Sequence, residues 1–407
     1  MRQAYRNSPS RVFHLPRPPA VPPNLSFNRK SRLTEIDLQV TFQHPSSGNQ
    51  KYYEIPAENA PEKPVLLSDI LKDTPDVLKT IRDNKRVVFH VAGDTGGVKF
   101  PDPQQIVADK MEADFNRADG AQNPAFFYHL GDVVYYYGDS SEYFSQFYNP
   151  YTHYPAPIFA IPGNHDGDID QTNPAPRSLD AFLRNFCARL PDVTSDAGEA
   201  PRTAMTEPNP YWTLDAQLVT ILGLYTNVPE GGEVKQTQAD WFVQQLKDAP
   251  KDKALIVALH HPPYSADAHH GGSQAMLDLL DGSFSKAKRM PDLVLTGHVH
   301  NYQRFTRATG GREIPFIVAG AGGYWHLHNM ASALKGVQRP VKIRGTDLTL
   351  ESYSADHHGF LRIECTADLI RGEYYTAPRP QDSWSGQPLL WDDFTLDLKA
   401  HRIVKQG

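Results

Sequence analysis

Five short apolar runs, each ending at once in a polar turn, most constrain how this chain can fold. They are 86–92 (RVVFHVA), 125–130 (AFFYHL), 157–161 (PIFAI), 254–259 (ALIVAL) and 292–296 (DLVLT). Each has the length of a strand buried on both faces. Between them lie stretches of helical spacing. Leu179, Phe182, Leu183, Phe186 and Leu190 recur at three and four residues over 178–190, and Ala239, Phe242, Val243 and Leu246 over 238–247. Further strands are expected at 211–215, 218–224, 315–319 and 360–364. Strands alternating with helices point to a layered α/β domain.

The residues after the five runs are those that hold metals. The first is followed by Gly93-Asp94-Thr95-Gly96, the second by Gly131-Asp132-Val133-Val134-Tyr135, and the third by Gly163-Asn164-His165-Asp166. The fourth ends in His260, and the fifth runs into Gly297-His298-Val299-His300. In an open α/β sheet the carboxyl ends of the strands share one edge, where ligands bind. Asp94, Asp132, Tyr135, Asn164, His260, His298 and His300 are therefore expected to converge. The glycines permit sharp exits from the strands and close backbone approach. Oxygen donors suit hard ions, and imidazole suits zinc, iron or manganese. A carboxylate such as Asp132 can bridge two ions. Two ions about 3.5–4 Å apart would hold both the attacking and the leaving oxygen of an in-line phosphoryl displacement, and would acidify a bound water. One such block alone marks a turn; five in order, each after a buried run, mark a site.

These blocks are similar to those of the calcineurin-like metallophosphoesterases, and within them the chain resembles the purple acid phosphatases. The general family carries Gly-Asp-x-His in its first block. Here Gly96 stands where that histidine would be, and Tyr135 lies three residues after Asp132. That exchange marks the purple acid phosphatases, whose blocks Asp-x-Gly, Gly-Asp-x-x-Tyr, Gly-Asn-His-acid, Val-x-x-His and Gly-His-x-His all occur in order. The likeness covers roughly residues 86–325. It implies a layered α/β/β/α sandwich with a binuclear centre. Asp94, Asp132, Tyr135 and His300 would hold a ferric ion. Asp132, Asn164, His260 and His298 would hold a divalent iron, zinc or manganese. His165 would contact the substrate phosphate or protonate the leaving group, and His269 and His270 would be a substrate-facing pair. The implied activity is acid-phosphatase-like hydrolysis of phosphomonoesters, by attack of a metal-bound hydroxide on phosphorus. The alternatives are a phosphodiesterase or nucleotide pyrophosphatase on the same site, and a non-catalytic binding protein that kept the fold. The chain departs from plant members at Asp166, where they commonly carry glutamate, and in an N-terminal segment too short for their β-sandwich.

The rest of the chain sets bounds. The catalytic domain is expected over 85–407, after an accessory segment, 1–84. Residues 1–33 hold seven Arg or Lys, six Pro and no acid, which reads as a surface-draped tail or a contact for a second copy of the chain. A strand pair is expected at 35–42 and 50–55 around the turn 45–48, and a helix at 65–83 with Leu66, Ile70, Leu71 and Leu78 inward. A net charge of −6 gives no broad nucleic-acid surface. No run of about 18 apolar residues predicts a membrane span, and the N-terminus lacks a secretory leader pattern, so a cytoplasmic location is the default. The two cysteines, Cys187 and Cys365, either pair or stay reduced. There is no phosphate-binding loop and no serine elbow. Gly320-Ala321-Gly322-Gly323 is followed by no Lys-Ser/Thr and reads as a packed strand exit. His90 and His129 read as core histidines, His357 and His358 as structural. Tyr136 and Tyr137 lack the spacing of Tyr135 from Asp132.

Overall fold

A computed structural model describes residues 33–44, 51–55, 63–117, 119–172 and 177–404. Its strands are β1 (Thr34–Ile36), β2 (Val65–Leu66), β3 (Val87–Ala92), β4 (Phe127–His129), β5 (Ile158–Ala160), β6 (Trp212–Asp215), β7 (Val219–Leu224), β8 (Ala254–Leu259) and β9 (Leu293–Thr296). They continue with β10 (Tyr302–Thr309), β11 (Arg312–Ala319), β12 (Val341–Ile343), β13 (Leu348–Ser354), β14 (Gly359–Cys365), β15 (Leu369–Thr376), β16 (Leu389–Asp397) and β17 (Arg402–Ile403). Two sheets result. One has ten strands in the order β1-β12-β13-β10-β11-β9-β8-β7-β6-β2, the other seven in the order β17-β16-β15-β14-β3-β4-β5.

The period of two along each strand explains how the sheets stack. Val87, Phe89 and Val91 of β3 share one buried cluster with Ala254, Ile256 and Ala258 of β8, so these faces meet between the sheets. The intervening Leu255, Val257 and Leu259 of the larger sheet, and Phe127, Ile158 and Ala160 of the smaller, are buried with Met111, Phe182, Phe242 and Leu280, which come from covering helices. Those helices are Asp102–Ala113, Asp180–Phe186, Gln236–Asp248 and Gln274–Ala287. The α/β/β/α sandwich follows directly. Trp212 Nε1 donates to Ala160 O at 3.0 Å, a hydrogen bond from the larger sheet to the smaller.

The five apolar runs all form strands, within one or two residues of their expected ends. Other expectations need correction. Of the strand pair at 35–42 and 50–55, only β1 forms, and it pairs in parallel with β12. Residues 51–55 form no strand. There the amide of Asn227 substitutes for a partner strand, accepting from Tyr53 N at 3.0 Å and donating to Tyr53 O at 2.8 Å. The turn at 45–48 and residues 1–32 lie outside the described residues. The helix expected over 65–83 is split. Val65–Leu66 is β2, paired with β6, and a short helix, Leu67–Ile70, precedes a second at Pro75–Asn84. Pro75 starts that helix at its first turn, where its missing N–H costs nothing. Leu66 is consequently exposed rather than inward. The helix expected to reach Leu190 stops at Phe186. Leu190 precedes Pro191, a position disfavoured for helix, and is exposed. The segment 1–84 contributes both outer strands of the larger sheet, β1 and β2. Both cysteines are free thiols. Among the described residues no helix is long and apolar enough to cross a membrane.

Candidate metal centre

The seven residues expected to hold metals come together, but not along the edge of one sheet. Asp94, Asp132, Tyr135 and Asn164 follow β3, β4 and β5 of the smaller sheet, whereas His260, His298 and His300 follow β8 and β9 of the larger. The edge is composite, half from each layer of the sandwich.

Two groups of donor atoms form. In one, Tyr135 Oη lies 3.4 Å from Asp94 Oδ1 and 3.3 Å from His300 Nε2, with His300 Nε2 3.5 Å from Asp94 Oδ1. In the other, Asn164 Oδ1 lies 3.1 Å from His260 Nε2 and 3.0 Å from His298 Nδ1. Asp132 touches both. Its Oδ2 is 3.4 Å from His260 Nε2, and it groups with Asp94 and His300, their ligand atoms all within 4.8 Å of one another. Donors about 2.1 Å from a shared ion stand about 3.0–3.4 Å apart, so these spacings suit a cation in each group.

The chemistry of the donors agrees. Asp94 and Asp132 are buried, and no lysine or arginine pairs with either among the described residues. Buried carboxylates need a counter-charge, and a metal cation supplies one. With protein groups alone, burial pushes the Asp94 carboxyl up to about 7. Burial opposes the Asp132 carboxylate too, but the charges of His260 and His165 prevail and hold it well below its usual range. His260 is raised to about 9, the carboxylates of Asp132 and Asp94 outweighing its burial. Burial lowers His298 to about 4 and His300 to about 3, keeping both neutral, the form that donates a lone pair. Burial, then Asp132 and Asp94, push the Tyr135 phenol well above its ordinary value. Only a strongly charged cation against its oxygen would make it a phenolate.

Backbone carbonyls set the imidazole tautomers. His260 Nδ1 donates to Leu130 O at 2.8 Å and His300 Nδ1 to His326 O at 3.3 Å, so each Nε2 faces the cluster. His298 is reversed: its Nδ1 faces Asn164, and its Nε2 lies 3.5 Å from Glu230 Oε1. Asp94 (φ 56°), Asp132 (φ 53°) and His298 (φ 66°) all adopt the left-handed region, which side chains disfavour. Each turns the chain sharply off its strand, and His298 N and His165 N secure two of these turns by donating to Asp94 Oδ2 (2.8 Å) and Asp132 Oδ1 (2.9 Å).

Two glycines are sterically required. At Gly131 (φ 95°) a Cβ would lie 2.8 Å from His260 Nδ1. At Gly96 it would lie 2.6 Å from Tyr135 Cδ2, so the tyrosine ring fills the space a side chain at 96 would need. A side chain at 96 and the Tyr135 ring therefore exclude each other. The amide of Gln146 brackets the Tyr135 backbone, accepting from its N–H at 2.9 Å and donating to its carbonyl at 3.0 Å. The Asp166 carboxylate accepts from the N–H groups of Val133 (3.0 Å) and Gly163 (2.8 Å), tying two of the site loops together.

The remaining residues fall into place around the cluster. His165 is partly exposed, its Nδ1 donating to Tyr136 O at 2.8 Å and its ring 4.6 Å from that of Tyr135. His270 reaches the site, its ring 4.9 Å from His298, whereas His269 packs on His328 at 5.4 Å. Gly320–Gly323 forms a packed exit from β11, Gly322 N donating to Gly93 O at 3.1 Å. His90 and His129 are buried and hydrogen-bonded, to Tyr154 and Asp114 and to Thr95 respectively. His358 binds the Tyr324 carbonyl at 2.8 Å, and His357 binds Asp356 at 3.0 Å.

Sequence reasoning missed Glu230, Tyr324, His326 and His328. Glu230 Oε1 lies within 3.3 Å of His270 Nδ1 as well as 3.5 Å from His298. The rings of Tyr324 and His328 lie 4.3 and 4.5 Å from that of His300. The signal for the histidines was present: His326-Leu327-His328 repeats the His-x-His form of 298–300 just after the glycines. Glu230 has no sequence signal.

Residues 65–302 match the model of the calcineurin-like phosphoesterase family, and the chain belongs to that family. Its members are metal-dependent phosphoesterases with a dinuclear centre. The chain is similar to purple acid phosphatase 21 of Arabidopsis thaliana, with 29% identity over 39% of this chain and 35% of the relative. It is also similar to the 3',5'-cyclic adenosine monophosphate phosphodiesterase CpdA of Escherichia coli, with 26% identity over 42% of this chain and 55% of that protein. Among solved structures, purple acid phosphatase PPD1 from yellow lupin superposes with a TM-score of 0.55 at 17% identity, covering 78% of this chain and 54% of that one. The chain thus matches about a third of the length of the plant relative and about half of the bacterial one.

Proposed function

We propose that the chain is a binuclear-metal phosphatase that hydrolyses phosphomonoesters, with Asp94, Asp132, Tyr135 and His300 around a ferric ion and Asp132, Asn164, His260 and His298 around a divalent one. The observation that carries this reading is the position of Asp132, whose carboxylate alone belongs to both donor groups. The ions, when bound, acidify a water and draw charge from the phosphoryl oxygens. The protein's own groups do the rest. His165 hands a proton to the leaving oxygen from Nε2, because its Nδ1 proton is committed to the Tyr136 carbonyl. His270, tethered to Glu230, lines the substrate side. The burial of Asp94 and Asp132 keeps competing water and counter-ions from the carboxylates.

A second reading is a phosphodiesterase, favoured by the likeness to CpdA. The two are separated by assaying nitrophenyl phosphate beside bis(nitrophenyl) phosphate, with metals counted by elemental analysis. The monoester reading expects two metals per chain and faster cleavage of the monoester. Preference for the bis-ester selects the second reading. Metal-free, inactive protein would favour a binding role, against which the intact set of seven donors argues.

A further inference from the structure

The strands that present the candidate centre at their carboxyl ends border a second cleft at their amino ends. Lys251 leads into β8, Arg289 and Met290 lead into β9, and Arg312 and Ile314 lie at the start of β11. The cavity there measures about 660 Å³, within the roughly 300–1,000 Å³ of small-molecule sites. The length of β8, about 20 Å, separates the two.

Its walls run against the charge of the whole chain, which is −6. Five cations line the cavity, Lys251, Lys288, Arg289, Arg307 and Arg312, beside one carboxylate, Asp281. Two of the five are already compensated. Arg307 is clamped by Asp281 at 2.6 Å and Asp347 at 2.9 Å, and Arg312 by Asp292 at 2.6 Å. Asp292 is itself committed, accepting from Leu255 N at 2.9 Å. Lys251, Lys288 and Arg289 have no carboxylate partner among the described residues. Among the described residues the Arg289 guanidinium makes one bond, to Pro250 O at 3.2 Å. Arg289 Nε and Arg312 Nε are buried and donate to no acceptor among the described residues. Unpaired buried donors are costly, and an anion is a partner that satisfies such a donor. Burial lowers the Arg312 guanidinium, and the nearby Arg289 charge adds to this against the pull of Asp292. Beside the cations lies the half-buried Met290, with Phe284 and Ile314 in the core behind it.

We infer that this cleft is a second ligand site, for a phosphorylated small molecule of nucleotide size whose body lies along Met290 and whose phosphate sits among Lys251, Lys288 and Arg289. The inference is independent of the chemistry assigned to the metal centre.

The probe is the methylene-bridged, non-hydrolysable analogue of ATP, titrated calorimetrically into the metal-loaded full chain. Nitrophenyl phosphate hydrolysis is followed in parallel. The variant is Lys251→Gln with Lys288→Asn. Both side chains are exposed, and asparagine tolerates the left-handed backbone of Lys288 (φ 53°). The wild type should bind the analogue at a site distinct from that through which it inhibits hydrolysis. In the double variant this binding should weaken by about tenfold or more, the cost of losing two charged phosphate contacts. Turnover and the inhibition constant should stay unchanged. Arg289→Gln should repeat the loss. Equal affinity in wild type and variant would overturn the inference. So would binding that tracks the inhibition constant in both proteins, which assigns the analogue to the metal centre, and so would a wild type with no binding beyond that centre.

Discussion

The backbone N–H of His165 donates to Asp132 Oδ1 at 2.9 Å. The proposed proton donor is therefore anchored to the carboxylate proposed to serve both ions. Asp132→Ala removes the shared donor and this anchor together. Metal content and turnover should both collapse, as read by elemental analysis and nitrophenyl phosphate hydrolysis. Retention of two metals per chain would take Asp132 out of the bridging role.

His165→Ala should separate the two functions. Turnover should fall by roughly 10²–10⁴-fold, the worth of one proton-transfer group, while metal content stays near wild type. The loss should be smaller for nitrophenyl phosphate than for an alkyl phosphate, because nitrophenolate leaves without a proton. Equal losses on the two substrates would contradict the acid role.

Tyr135→Phe should bleach the protein. With burial and two carboxylates pushing its phenol well above its ordinary value, Tyr135 ionises only against a highly charged cation, and an iron-bound phenolate absorbs visible light. Tyr136→Phe and Tyr137→Phe should leave the colour, since both side chains are exposed and the 136 carbonyl that holds His165 is kept. A colourless wild type that contains iron would refute the assignment. One holding only zinc or manganese would remove the ferric ion and leave the phosphoesterase reading standing.

Glu230→Ala should weaken metal retention by about 10–100-fold, the usual effect of losing a carboxylate behind a ligating histidine. Glu230 faces His298 Nε2 at 3.5 Å and so points Nδ1 at Asn164. Dialysis against a chelator measures the loss, and excess metal should restore turnover. If metal affinity is unchanged, His298 is oriented by its packing alone.

Asp114 gives a pH prediction away from the centre. Burial opposes its carboxylate, but the His90 hydrogen bond and the charges of Arg117 and Arg362 prevail and hold it at about 2, below an ordinary value of 3.8. A depressed carboxyl stabilises the fold above its unfolded value, and the stabilisation is lost as pH falls through the folded one. Asp114→Asn should therefore cost about 2 kcal/mol at neutral pH. Urea unfolding at pH 7 and again near pH 2 should show the gap between variant and wild type shrinking. A pH-independent gap would assign the effect to packing.

The parts of this structure legible in the sequence are the local ones. A buried strand followed by its ligand is written in consecutive residues, so Asp94, Asp132, Asn164, His260 and His298 could be read together with the strands that carry them. Pairing is not written locally. Nothing near Val87–Ala92 announces that Gly359–Cys365 will lie beside it, and that partnership is what divides the donors between two sheets. Residues 51–55 alternate like a strand, yet Asn227 takes their hydrogen bonds. Glu230 acquires its place beside His298 only through tertiary folding. Of the strands after residue 300, 315–319 and 360–364 could be read from their apolar runs, whereas β10 escaped because Gln303, Arg304 and Arg307 break its YQRFTRAT into no continuous apolar run.

The seam between the sheets gives the donor cluster a second consequence. Four donors ride on one layer and three on the other, so any cation they share acts as a rivet across the sandwich. A ligand that binds only the folded chain adds stability as the logarithm of its concentration over Kd, about 4 kcal/mol at a thousandfold excess. Chelation would then do more than silence turnover: it would unfasten the layers at one end and leave the imidazole of His260 to balance two buried acids, Asp94 and Asp132. In this architecture, metal supply would set mechanical integrity as well as turnover.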